Sequence, residues 1–168
     1  MDLLIALLRI AHILSGVVMV GNTIFVALVL GPRLRLVAPP VRGQVMGALG
    51  PVMTPLQGIM AMVVIASGLA LVLALRSSVL GQLWTTGWGW AITAGFVATV
   101  AGTIAGSFFM SKTMAQLQAA GAAIQGRPPT GEEAGRMQAL QKRAGLLTNV
   151  ILAMSVIAVV TMAVARYV

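Results

Sequence analysis

The first apolar stretch of the sequence carries the residues best suited to chemistry. Arg9, His12 and Met19 follow one another at spacings of three and seven residues, so a helix places them on one face. His12 is the only histidine in the chain, and a neutral imidazole inside a helix bundle is a suitable ligand for haem iron. A hydrogen bond between helices is the alternative role, and residue chemistry alone favours it.

A haem b group on His12 would need partners for its propionates and for its second axial position. Arg9 lies one turn nearer the N-terminus and offers a cation to a propionate; alternatively, its side chain snorkels to the membrane surface. Because the chain has no second histidine, the second axial ligand would be Met19, another methionine, a histidine of a partner protein, or nothing. His12 is thus the one candidate metal ligand, with Arg9 and Met19 as candidate cofactor contacts.

Methionine suggests a different metal. The chain has 11 methionines and no cysteine, and thioethers bind Cu(I). Met60 and Met62 form the one close pair, and Met110 and Met114 lie one helical turn apart. Methionine also fills irregular apolar cores, so copper handling stays an alternative hypothesis.

Most enzyme classes lack the residues that they require. The chain has three acidic residues, Asp2, Glu132 and Glu133, all outside the apolar stretches, so paired carboxylates or a Ser-His-Asp set inside a membrane are excluded. No glycine-rich phosphate-binding motif occurs. The sequence contains no self-contained catalytic set, and an oxidoreductase remains conceivable only with a bound haem.

The amino-acid composition indicates the fold that positions these side chains. Of 168 residues 59% are hydrophobic and 8% charged, and the mean hydropathy is +0.99, which is typical of a membrane protein. Four apolar segments, at about 3–30, 53–75, 88–110 and 146–164, are each long enough to cross about 30 Å of hydrocarbon. We therefore predict an all-α fold, an integral membrane four-helix bundle that forms a single domain over residues 1–168.

The basic residues indicate the orientation of the bundle. The connections after the first and third segments hold most of the 11 Lys and Arg residues, so the positive-inside rule places both connections in the cytoplasm and both termini outside. The net charge of +8 is accordingly attributed to topology and to contact with anionic lipids, and not to nucleic acid.

The two basic connections are expected to be helical. Residues 41–49 form a predicted short interfacial helix that ends near Gly50-Pro51, with Arg42 facing lipid head groups. Residues 111–145 form a predicted cytoplasmic helical hairpin, whose second helix begins with a capping box between Thr130 and Glu133. This hairpin is a candidate docking surface for a protein partner.

Small residues are expected to hold the helices together, because lipid gives no hydrophobic drive for helix association. In the third segment they recur every four residues as a ridge, formed by Ala94, Ala98, Gly102 and Gly106. We expect another helix of the same chain to pack on this ridge.

The first apolar segment and the residues that follow it resemble a known family. His12 is followed by Gly21 and then by Pro32-Arg33, and Ser67-Gly68 closes the second segment. This arrangement resembles the CopD-like copper-resistance membrane domains and related bacterial four-span proteins, and more distantly the HemJ-type protoporphyrinogen oxidases. The resemblance implies a bacterial inner membrane, and the HemJ-type members imply a haem on His12.

Three functions follow as hypotheses. The first is a non-enzymatic accessory or scaffold subunit of a larger membrane complex, with a protein partner or a second copy of the chain in the membrane. The second is a haem-binding electron-transfer protein that uses His12, and the third is a copper-handling protein.

Overall fold

The computed structural model describes residues 2–124 and 127–168, and within those ranges the chain is helical with no strand. Four of its helices are long and apolar enough to cross a membrane. The protein is therefore an all-α multi-pass membrane bundle, as predicted.

Two of the four helices contain a π-helical turn. Helix α1 consists of Asp2–Ile24 and Gly31–Leu34, joined by the π-helical Phe25–Leu30. Helix α2 is Pro39–Arg76, and a 3-10 turn, Ser77–Gln82, follows it. Helix α3 consists of Gly87–Ile104 and Ser111–Ala123, joined by the π-helical Ala105–Met110, and α4 is Gly131–Val164.

The helices pair as two antiparallel hairpins. Helix α1 packs along α2 and α3 packs along α4, whereas contacts from one hairpin to the other are sparse. We call the end that holds the α1–α2 and α3–α4 connections the basic end, and the end that holds the 77–86 connection the terminal end. The sparse contacts leave room between the hairpins.

The separate interfacial helix predicted over residues 41–49 is wrong, because α2 runs through them without a break. Pro51 and Pro55 lie inside this helix. A proline inside a helix removes one hydrogen bond and crowds the carbonyl four residues earlier, but helices in membranes tolerate this when neighbouring helices support them. The carbonyl that precedes Pro51 by four residues belongs to Gly47, where no side chain adds to the crowding.

Arg42 has a structural role at the basic end. Its Nε–H donates to the Leu34 carbonyl at 2.8 Å, and its Nη2 donates to the carbonyls of Arg35 and Val37 at 3.4 Å. These carbonyls belong to the last turn of α1 and the link that follows, which lack helical partners. Arg42 thus ties the end of α1 to the start of α2, and its contact with lipid head groups stays a prediction.

The predicted capping box at the start of α4 is confirmed. Thr130 Oγ1 accepts from the Glu133 backbone N–H, and Glu133 accepts from the Thr130 backbone N–H. Arg127 donates to both carboxylate oxygens of Glu133, at 2.8 and 2.6 Å. Helices α3 and α4 run well past the apolar segments toward this turn, in which Gln125 and Gly126 lie outside the described residues.

This cap should weaken in acid. The hydrogen bonds from Arg127 and from the Thr130 backbone lower the pKa of Glu133 from its ordinary value of 4.5 to about 2. A lowered pKa means that the cap contributes its full stability above about pH 4.5 and loses it as the pH falls toward 2. We expect the first-turn amides of α4 to lose protection from hydrogen exchange over that interval.

Glu132 provides the control, because it occupies the same first turn. Glu133→Gln should remove the acid sensitivity and weaken the protection at neutral pH, whereas Glu132→Gln should leave both as they are. Equal effects of the two substitutions would show that general charge at the helix start, and not the capping box, sets the protection.

Helices α3 and α4 pack through small residues, and the contact differs from the predicted ridge at one of its four positions. Ala98 is buried, and methyl groups placed on Gly102 and Gly106 would lie 3.3 and 3.9 Å from Met154 Cβ and Ile151 Cδ1 of α4. Ala94 is exposed, and Gly95 is buried in its place. The contact face follows the spacing 95, 98, 102, because 3.6 residues complete a helical turn and a strict spacing of four drifts off the face.

Aromatic residues gather at the terminal end. The rings of Trp84 and Trp90 meet edge to face with their centres 5.3 Å apart, and the Trp90 indole N–H donates to the Trp84 carbonyl at 3.1 Å. The Arg76 guanidinium lies 5.2 Å from the centre of the Trp88 ring. Such rings are typical of a membrane interface.

Candidate functional site

His12 packs between α1 and α2. Its Nδ1 lies 3.0 Å from the Val64 carbonyl oxygen and 3.2 Å from Ser67 Oγ. A methyl group on Gly68 would lie 2.9 Å from Cε1 of the imidazole, so the ring reaches this position because residue 68 has no side chain. Two residues of α2 thus hold His12 and a third makes room for it.

These partners determine which ring nitrogen carries the proton. A carbonyl oxygen can only accept, so Nδ1–H donates to Val64 and, in the neutral ring, the lone pair is left on Nε2. Histidines that bind metals commonly donate their other N–H to a backbone carbonyl in this way. The same contact is also an ordinary interhelical hydrogen bond, worth about 0.6 kcal/mol on average in a membrane. The geometry thus suits both predicted roles of His12.

Of the other two candidate haem contacts, Arg9 lies one helical turn from His12 and stays a candidate partner for a propionate. Arg9 is exposed. Met19 is 7% exposed and lines a cavity that His12 does not reach. A spacing of seven residues separates Met19 from His12 by about 10 Å along the helix axis, so Met19 does not fit as a second axial ligand beside His12.

The cavity lies between the two hairpins, in the half of the bundle nearer the basic end. Its volume is about 320 Å³, and all four helices line it. This volume falls at the lower end of the range for small-molecule sites, which is about 300 to 1,000 Å³. Its wall is mainly apolar, with side chains such as Val26, Leu30 and Ile151.

Asn22 and Gln57 form the polar centre of the cavity wall. Asn22 Nδ2 donates to Gln57 Oε1 at 2.8 Å. Gln57 Nε2 in turn lies 3.3 Å from both the Met19 carbonyl and Thr23 Oγ1. Both side-chain functions of Gln57 are therefore engaged, while Asn22 keeps its carbonyl oxygen and one N–H for other contacts.

Hydroxyl groups supply most of the remaining polar wall. Eight serine and threonine residues line the cavity, and six of them donate to a carbonyl of their own helix. The six are Thr23, Thr99, Thr103, Ser111, Thr148 and Ser155. A hydroxyl that donates in this way keeps its oxygen lone pairs, so these groups present acceptors to the cavity.

Five of the 11 methionines also line the cavity. They are Met19, Met46, Met53, Met110 and Met114. They come from three helices, and Met46 and Met53 are about 10 Å apart along α2. Of the methionines that suggest copper in the sequence, Met110 and Met114 are among these five, whereas Met60 and Met62 are not. The copper hypothesis stays a prediction.

Irregular backbone surrounds the cavity on three helices. The π-helical turns of α1 and α3 contribute Val26, Leu30, Gly106 and Met110 to its wall, and the proline-containing part of α2 contributes Met53. π-helical turns occur frequently at functional sites. In α1 the turn precedes Pro32, whose ring would otherwise meet the Leu28 carbonyl.

None of the described residues that line the cavity is ionisable. Likewise, no group of three or more His, Cys, Asp or Glu side chains that could hold a metal lies in residues 2–124 and 127–168. The arrangement is suited to binding an uncharged molecule and offers no acid, base or activated nucleophile. Gln57 is not among the residues that the sequence pattern predicts, although an amide in an otherwise apolar segment is a recognisable signal.

Comparison of the chain with protein-family models, with curated proteins and with solved structures finds no match.

Proposed function

We propose that the protein is a non-enzymatic accessory membrane protein that binds a small uncharged molecule in the cavity between its two hairpins. The observation that supports this proposal is the cavity of about 320 Å³, which is lined by all four helices. Well-formed apolar cavities with a few convergent polar groups are the usual sites for small ligands. The hydroxyl and amide groups orient the ligand, and the apolar wall provides its affinity.

The absence of charge supports binding over catalysis. No ionisable side chain is found among the described residues of the wall, and general acid–base chemistry needs such a group within hydrogen-bond reach of the reacting atom. The hydroxyl groups of the wall have no neighbouring base to activate them, which a nucleophilic serine or threonine requires.

The bundle is proposed to lie in a bacterial inner membrane with the basic end in the cytoplasm. Arg33, Arg35 and Arg42 at the first basic connection and the basic residues of the α3–α4 extension support this orientation. The extension, residues 111–145, is then the surface available to a cytoplasmic protein partner.

Native mass spectrometry of the protein extracted from membranes at endogenous expression tests this function. We expect the chain to carry both a bound small molecule and a partner protein. A variant with Phe in place of Thr103, which lines the cavity, should lose the small molecule. Detection of the chain alone, with no bound small molecule and no partner protein, would contradict the proposal.

His12 supports a second candidate, a haem-binding electron-transfer protein. The supporting observation is the Nδ1–H···O bond to the Val64 carbonyl, which leaves Nε2 available as an iron ligand. A haem held there would supply one-electron redox chemistry. His12 would hold the iron, and Val64 and Ser67 would orient the imidazole.

The haem candidate is tested by purifying the protein with added haem and recording a reduced-minus-oxidised spectrum. We expect a Soret band that His12→Ala abolishes and that Ser67→Ala retains, because Ser67 only orients the ring. No Soret band, or one unchanged by His12→Ala, would leave His12 as a structural interhelical contact.

A further inference from the structure

The hydrogen-bonding capacity of the cavity wall is unbalanced. Six of its eight hydroxyl groups donate to a backbone carbonyl of their own helix. Gln57 donates its amide N–H groups to the Met19 carbonyl and to Thr23 Oγ1. The oxygen lone pairs of these hydroxyls remain, apart from the one on Thr23 that accepts from Gln57, and the carbonyl oxygen of Asn22 is available as well. The wall therefore offers many acceptors and few donors.

The charges of the chain and of the cavity wall limit the class of ligand further. The chain has three acidic residues, and no acidic side chain is found among the described residues that line the cavity. A cation would consequently enter without a counter-ion, in a protein of net charge +8, and burial of an unpaired charge is strongly unfavourable. An anion would need donors, and most donors of the wall are already engaged.

We infer that the ligand of this cavity is an uncharged, largely apolar molecule that carries its own hydrogen-bond donor, such as an alcohol or a phenol. This inference rests on the proposed function and adds the chemical class of the ligand. The apolar body lies against Val26, Leu30 and Ile151, and the donor reaches the acceptors of α3 and α4. Such molecules partition into membranes and reach the site from lipid.

A pair of probes that differ in one hydrogen-bond donor tests the inference. The full chain in lipid nanodiscs is titrated with 1-naphthol and with 1-methoxynaphthalene, and empty nanodiscs correct for partitioning. Both molecules fill the same kind of apolar space, but the methyl ether cannot donate. We expect 1-naphthol to bind about two- to tenfold more tightly, which is the range that one net hydrogen bond to a buried acceptor provides.

Two threonine variants identify the acceptors. Thr99 is buried in the cavity wall, whereas Thr161 donates to the Ile157 carbonyl and lies outside the lining residues. Thr99→Val keeps the shape and removes the oxygen, so it should reduce the preference for 1-naphthol over its ether. Thr161→Val should leave the preference unchanged.

Each outcome is decisive. Equal binding of the two probes would overturn the donor inference and leave the proposed binding function intact. Preferential binding of the methyl ether would likewise overturn the inference, because it would show a wall that supplies donors. If neither probe binds above the nanodisc background, the inference and the proposed cavity function both fail.

Discussion

Replacing Gly95 by leucine should separate α3 from α4. Gly95 is buried, and even a single methyl group there would lie 2.8 Å from both Met162 Cε and Thr161 Oγ1. Leucine adds three further carbon atoms at a position where the helices are in close contact. Overpacking of a close contact costs about 1–3 kcal/mol and sometimes more, and we expect the upper end. The melting temperature of the protein in detergent should fall markedly.

Ala94 is the matched control, because it precedes Gly95 and is exposed. Ala94→Leu should change the free energy of unfolding by less than about 0.5 kcal/mol, as is usual for surface substitutions. The sequence alone predicts the opposite order, since Ala94 belongs to the four-residue ridge. A larger loss of stability from Ala94→Leu than from Gly95→Leu would refute the register seen in the structure.

Filling the cavity should abolish binding without unfolding the protein. Thr103 lines the cavity, and its hydroxyl donates to the Thr99 carbonyl at 2.8 Å. Thr103→Phe places an aromatic ring in the space that the ligand occupies. We expect the affinity for 1-naphthol to fall at least about tenfold, a loss of about 1.4 kcal/mol. The melting temperature should change little, because the ring enters existing space.

Val97 provides the control for this substitution. It lies on the same helix and is 57% exposed, so Val97→Phe adds the same ring on the outside of the bundle. Its affinity for 1-naphthol should equal that of the unmodified chain. Tight binding by Thr103→Phe, or an equal loss in both variants, would contradict the assignment of the cavity as the binding site.

The sequence predicts the features that depend on local patterns. Four apolar segments predict the four membrane helices, because each must satisfy its backbone internally in lipid. The capping box at Thr130 and Glu133 is likewise local, since its two side chains lie within one turn. Both are found in the structure.

Features that depend on packing were predicted less well. The interfacial helix over residues 41–49 was expected to end at Gly50-Pro51, but α2 continues because proline is tolerated in membrane helices. In the small-residue ridge of α3, Gly95 takes the position predicted for Ala94, while Ala98 is buried as predicted. The first difference reflects the tolerance of membrane helices for proline, and the second reflects the helical repeat of 3.6 residues.

The cavity could not be predicted from the sequence, because it exists only where the two hairpins fail to meet. Its methionines lie between residues 19 and 114, and no local spacing brings them together. The π-helical turns are also invisible to periodicity, although Pro32 is a physical reason for the first of them. Asn22 and Gln57, 35 residues apart, are paired only by the antiparallel packing of α1 and α2.

The most direct test compares two buried serines as single cysteines, because the natural chain contains no cysteine. Ser155 lines the cavity and is 8% exposed; Ser15 lies outside the lining residues and is 3% exposed. Each donates to the carbonyl four residues earlier, so the two sites differ mainly in their access to the cavity.

The reaction of both variants with N-ethylmaleimide in liposomes is measured with and without 1-naphthol. We expect Ser155→Cys to react clearly faster than Ser15→Cys, and we expect 1-naphthol to slow only the reaction of Ser155→Cys. Equal rates at the two sites, or a rate at residue 155 that 1-naphthol leaves unchanged, would show that no ligand-accessible cavity separates the two hairpins.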